Sequence, residues 1–109
     1  MKYRVYLSAD AENDLFEIWN YVAHNDSPQK ADYLLQELES TCFTLEEFPD
    51  RGHVPPELDR VYVREYLEIH WKPYRIIYRI QDDSVFVHCV LDGRRNVQEL
   101  LIERSIRVQ

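Results

Sequence analysis

The sequence predicts an α+β domain in which an antiparallel sheet carries an N-terminal helical hairpin on one face, in the order β-α-α-β-β-β-α. Three observations predict it. Apolar residues recur at helical spacing through the first half of the chain; beyond a proline-containing loop the spacing drops to two; a fresh helix-capping signal then appears near the C-terminus.

Residues 3–7 read as a short strand that starts the fold. Ser8 stands where an N-cap belongs, with Asp10 and Glu12 in the first turn, where carboxylates suit the helix dipole. Ala11, Leu15, Ile18, Trp19 and Val22 form one stripe, and His24-Asn25-Asp26 ends it. Ser27-Pro28 restarts a helix with a cap and a proline at its first position; its stripe is Ala31, Leu34, Leu35, Leu38, Cys42 and Leu45, closed by Phe48-Pro49. Asp50 to Asp59 is a loop. Three strands are then predicted over Val61–Leu67, Glu68–Ile80 and Ser84–Leu91, the last two joined through Gln81-Asp82-Asp83-Ser84. Pro73 interrupts the long middle strand and the apolar phase slips there, which predicts a bulge. Asn96-Val97-Gln98-Glu99 has capping-box spacing and opens a short helix over Leu100 and Leu101.

The 109 residues suit one domain spanning 1–109 with one real core. No apolar run approaches the roughly 20 residues of a membrane-spanning helix, and the N-terminus is too short and polar for a secretory signal. Cys42 and Cys89 each sit in an apolar segment, as buried reduced thiols do, so the chain is expected in the cytoplasm. Net charge is −7, split unevenly: 11 acidic against 3 basic residues over 1–50, and 9 against 10 over 51–109. That excludes a uniformly basic nucleic-acid binder, so any anionic partner must meet a local patch.

In this order the residues resemble a known family. Strand 3–7 leading into Ser8-Ala9-Asp10-Ala11-Glu12-Asn13-Asp14-Leu15 resembles the opening of RelE/ParE toxins, "TPxAxxDL". Trp19-Asn20-Tyr21 is similar to "IWxY", Phe48 to Gly52 to "FPxxG", Lys72 to Ile80 to "YRIIYRV", and Val90 to Asn96 to "VLHGRRD". The resemblance runs over nearly the whole chain and lies nearer to ParE-like members. It implies a toxin of a type II toxin–antitoxin (plasmid-stabilisation) system, growth arrest, and a cognate antitoxin partner, with a hetero-oligomer as its common form. Two routes to arrest are implied: ParE-like members poison DNA gyrase, and RelE-like members cleave messenger RNA on the ribosome. A member that binds its antitoxin without being toxic is a third reading.

Fold does not choose among these, so the site must. Arg75 matches the arginine that helps hold phosphate in RNA-cleaving relatives. On a strand, Arg75 and Arg79 share a face, and Arg94 and Arg95 end the neighbouring strand, so the four are the expected target-binding residues. A nuclease would use Arg75, Arg79 and Tyr78, but where relatives carry His, Tyr or Lys this chain reads Leu91-Asp92-Gly93-Arg94. An anion and a glycine there disfavour phosphoryl transfer. His88 is expected in the core beside Phe86 and Val90, and His70 on the solvent side of its strand. Trp71 and Tyr66 are the candidate antitoxin anchors. His24, His53, His70 and His88 show no metal-ligand spacing with the cysteines, and no glycine-rich phosphate loop occurs, so neither metal nor cofactor is expected.

Overall fold

A computed structural model describes the backbone over residues 2–95 and 97–108 and the side chains as far as residue 104. The chain runs β1 (Arg4–Leu7), α1 (Ala9–Asn25), α2 (Pro28–Phe43), two 3-10 turns (Thr44–Glu46 and Pro49–Arg51), α3 (Pro56–Asp59), β2 (Leu67–Trp71), β3 (Tyr74–Gln81), β4 (Ser84–Asp92) and α4 (Val97–Val108).

Both N-caps form as expected. Ser8 Oγ accepts from the Ala11 N–H at 3.0 Å and Ser27 Oγ from the Lys30 N–H at 3.2 Å, with Pro28 opening α2. Ser8 also donates its hydroxyl to the His88 carbonyl, at 3.2 Å, fixing the start of α1 to β4. The capping box expected at Asn96 lies outside the described residues.

The sheet order is β1-β4-β3-β2, and the architecture is α+β. β2, β3 and β4 are antiparallel, but β1 enters beside β4 in parallel, Arg4 opposite Ser84 and Leu7 opposite Val87, so the sheet is mixed. The helical hairpin intervenes between β1 and its neighbour, a long crossover of the kind a parallel pair requires.

Two differences from the expected strands have clear causes. Residues 61–66 form no strand; they end α3. Val63 donates to the Leu58 carbonyl and Tyr62 to that of Asp59, with Tyr62 left-handed at φ 63°, a Schellman cap in which Val63 packs beside Leu58. A tyrosine fills the place usually held by glycine, so the cap carries no glycine signal, and its Val and Tyr content imitates a strand. The segment Glu68–Ile80, in turn, is two strands: Lys72-Pro73 is the turn of the β2–β3 hairpin, and the phase slip at Pro73 is that turn. A bulge does occur, but on β4. Ile77 pairs with Cys89 and Tyr78 with Val87, leaving His88 as the extra residue.

Both faces of the sheet are covered. On one, Ala11, Leu15, Leu38 and Cys42 of the hairpin pack on Ile76, Tyr78, Val85, Val87 and Val90. On the other, Leu58, Tyr66, Val97 and Leu101 cover Ile77, Cys89 and Leu91. Two-sided burial explains why β4 reads as an almost unbroken apolar run. Cys42 and Cys89 are buried free thiols, both pushed up by burial, to about 12 and about 11. Among the described residues no helix is long and apolar enough to cross a membrane.

Candidate functional site

Register builds a polar cluster on the second face, beside the Lys72-Pro73 turn of the β2–β3 hairpin. Glu68 and His70 are two apart on β2 and share a face; Arg75 on β3 lies opposite His70. The loop before α3 brings a fourth member. His53 and Glu68 exchange both backbone hydrogen bonds, at 3.2 and 2.8 Å, as an isolated antiparallel bridge, so their side chains project together. α3 adds Glu57.

Glu68 is 1% exposed. Its carboxylate accepts from Arg75 Nε at 2.7 Å and Nη2 at 2.9 Å, and the Nε2 atoms of His70 and His53 lie 3.0 and 3.2 Å from its two oxygens. The other side of the Arg75 guanidinium is gripped by Glu57, at 2.6 and 2.7 Å. The Arg75 hydrogen bonds hold the Glu57 carboxyl below its ordinary range, and the two carboxylates raise the arginine further above its own. With neutral imidazoles, two carboxylates and one guanidinium leave this cluster at −1.

Both glycines shape the site. A Cβ on Gly52 would collide with the Tyr78 hydroxyl and stand 2.7 Å from the Glu68 carbonyl. One on Gly93 would stand 2.9 Å from the Pro73 carbonyl and 3.1 Å from Arg75 Cδ. These glycines are required for close approach, and neither has a positive φ.

The predicted residues divide. Arg75 and Arg94 border one open concavity with Glu57, Glu68 and His70, and Arg94 and Arg95 border a second between α1 and α4. Arg94 is exposed and holds Asp92 at 2.7–2.9 Å, and that pairing keeps the Asp92 carboxyl low. Arg79 is half-buried further along β3, with Nη2 on Gln81 at 3.2 Å. The expected four-arginine patch is therefore corrected: Arg75 is spent on internal ion pairs, and the exposed cations are Arg94 and Arg95.

Tyr78 is likewise corrected as a nuclease candidate, because it is fully buried and donates its hydroxyl to the Pro49 carbonyl. Tyr66 is 3% exposed inside the second core, edge-on to His88, and offers no surface anchor. Trp71, at the end of the edge strand β2, stays half-exposed. Glu57, Glu68 and His53 were not singled out from sequence. Their meeting depends on a loop-to-strand bridge that local periodicity does not encode; the signal that could have found Glu68 is an acid on the same strand face as His70, one hairpin turn from Arg75.

The four-stranded sheet with this hairpin matches the fold of two solved toxin–antitoxin chains. A chain of the chromosomal ParDE system of P. aeruginosa superposes with a TM-score of 0.69 at 15% identity, over 82% of this chain and 94% of that one. A chain of the RelBE2 toxin–antitoxin complex of Mycobacterium tuberculosis does so with 0.63 at 22% identity, over 84% and 92%. Residues 5–97 match the family described as the ParE toxin of type II toxin–antitoxin system, parDE, and the chain belongs to that family. It is 29% identical over 106 residues to toxin ParE3 of Caulobacter vibrioides, covering 94% of this chain and 98% of the relative.

Proposed function

We propose that the chain arrests growth in the cytoplasm by binding DNA gyrase, and that a cognate antitoxin neutralises it in a hetero-oligomer. The observation that carries the gyrase reading is the state of Arg75. Four of its five N–H donors are engaged by the Glu57 and Glu68 carboxylates, which suits a fixed structural cation and not a phosphate clamp. Of the four predicted arginines, Arg94, held to Asp92, and Arg95 are the exposed ones, just before α4, and are offered to an outside partner. For the antitoxin, Trp71 and the exposed aromatics Phe16 and Tyr21 of α1 offer apolar purchase to an amphipathic segment.

The test is a cleavage-complex assay with purified gyrase. Trapped DNA breaks are expected at micromolar toxin and should fall in the Arg94→Ala/Arg95→Ala double variant; no breaks from the wild type would count against the reading.

One observation favours a second reading, ribosome-dependent cleavage of messenger RNA: two imidazoles stand beside the Glu68–Arg75 pair, the residue types of an acid–base set. Primer extension on translating messages would then show A-site cuts that disappear in His70→Ala. Their absence in the wild type excludes it.

A further inference from the structure

We propose that His53, Glu68 and His70 form a binding site for one transition-metal dication of the zinc class. The imidazole ligand nitrogens and a Glu68 carboxylate oxygen all lie within 4.8 Å of one another. Each imidazole Nε2 is already 3.0–3.2 Å from a Glu68 oxygen. Metal–ligand bonds of about 2.0–2.2 Å in tetrahedral geometry place ligand atoms about 3.3–3.5 Å apart. His70 faces Oε1 and His53 faces Oε2, so an ion held through one carboxylate oxygen requires one imidazole to shift across the carboxylate. The two imidazoles must also close on each other, and both are free to move at the surface, with side chains 61% and 39% exposed.

The charges hydrogen-bonded directly to the site sum to −1, with Lys72 and Arg94 at the rim of the same concavity. A carboxylate offers about four lone-pair positions; Arg75 takes one on each Glu68 oxygen, and the imidazoles face the oxygens from elsewhere. Arg75 would then act as the outer partner that orients a ligating carboxylate. Glu57 offsets the charge of Arg75, so the cluster is at −1 before any ion arrives. Two nitrogen donors and one oxygen select zinc or copper over magnesium or calcium, which prefer all-oxygen sites. The fourth position opens into the concavity shared with Lys72 and Arg94, where solvent or a partner's side chain can complete the sphere. Bound metal would pin the loop carrying His53 to β2, adding a side-chain link to the backbone bridge that joins them.

This site is independent of the gyrase reading and is tested by binding alone. Tag-free full-length protein would be titrated with zinc chloride by calorimetry, and with cobalt(II) followed by its visible absorption. One equivalent is expected, with zinc raising the thermal midpoint. His53→Ala and His70→Ala should each weaken binding by about tenfold or more and abolish that rise. His24→Ala, remote on α1, should bind as the wild type does. Circular dichroism checks that the exposed-site variants remain folded; Glu68→Gln is avoided because that carboxylate is buried against Arg75. Failure of the wild type to bind, or an equivalent that survives both histidine substitutions, overturns the proposal.

Discussion

Asp14 on α1 and Arg104 on α4, 90 positions apart, form a two-pronged ion pair with contacts of 2.6 and 2.8 Å. Asp14 is 4% exposed, and its Oδ2 also accepts the Val90 N–H at 3.0 Å. The reason lies in the sheet: β1 ends opposite Val87 while β4 continues to Asp92, so Val90 has no strand on that side. One carboxylate thus satisfies an orphaned backbone donor and anchors the C-terminal helix. Asp14→Ala strands both Arg104 and Val90, and breaking a buried pair of this kind costs about 3–5 kcal/mol. Urea unfolding should show that loss, with the double variant Asp14→Ala/Arg104→Leu recovering part of it. An Asp14→Ala midpoint equal to wild type would refute the anchoring role.

Arg75 and Arg94 should separate cleanly in the same measurement. Arg75→Ala leaves the Glu68 carboxylate buried without its guanidinium, a loss of about 3 kcal/mol or more. Arg94 is 71% exposed, and solvent-screened pairs such as its contact with Asp92 contribute little, so Arg94→Ala should leave the unfolding midpoint nearly unchanged. If Arg75→Ala is as stable as Arg94→Ala, the Glu57–Arg75–Glu68 chain does not support the fold.

The helical hairpin was legible because each cue was local: a serine cap, a proline at the first turn, an apolar stripe at one period. The partners of the site were not, since they depend on register. His53 meets Glu68 through a bridge between a loop and an edge strand, and Arg75 meets Glu57 across 18 positions. Asp14 shows the same division. Its place in the resembling motif is evident in sequence, yet its work, capping Val90 and holding Arg104, appears only once β1 is seen to stop short. Pro73 misled in a specific way: an alternation that slips by one residue fits a bulge or a two-residue turn equally well, and only the pairing of Trp71 with Tyr74 distinguishes them.

Tyr78 should behave as a structural residue. Tyr78→Phe removes the donor to the Pro49 carbonyl and should cost about 1–2 kcal/mol, while toxicity per folded molecule stays at the wild-type level. Gly52→Ala should be worse, because the added methyl meets both the Tyr78 hydroxyl and the Glu68 carbonyl, and the second contact is with backbone that cannot swing away. Growth-arrest assays normalised to soluble protein check the first point. A Tyr78→Phe protein that folds but no longer arrests growth would restore the phenol to a catalytic role.

His88 gives the domain an acid-side weakness with a definite sign. As the extra residue of the β4 bulge it shares a face with Cys89, and its Nε2 is buried with no hydrogen-bond partner among the described residues. Burial, helped by the Arg79 cation and opposed by Asp10, pushes its pKa below the ordinary 6.5. As pH falls, the unfolded chain therefore takes up this proton before the folded one does. The stability tied to neutral His88 is complete above 6.5 and declines as pH drops from there toward the folded-state value. Glu57 adds a second loss lower down. Its carboxyl is held below 4.5 by Arg75, so its contribution is present above 4.5 and disappears as pH falls through the lowered value. Thermal midpoints measured from about pH 7 down to about pH 3 should fall in these two stages. His88→Gln should flatten the first stage and leave the second, and Glu57→Gln should do the reverse from a lower starting stability. A first stage of equal slope in wild type and His88→Gln would mean that another group carries it.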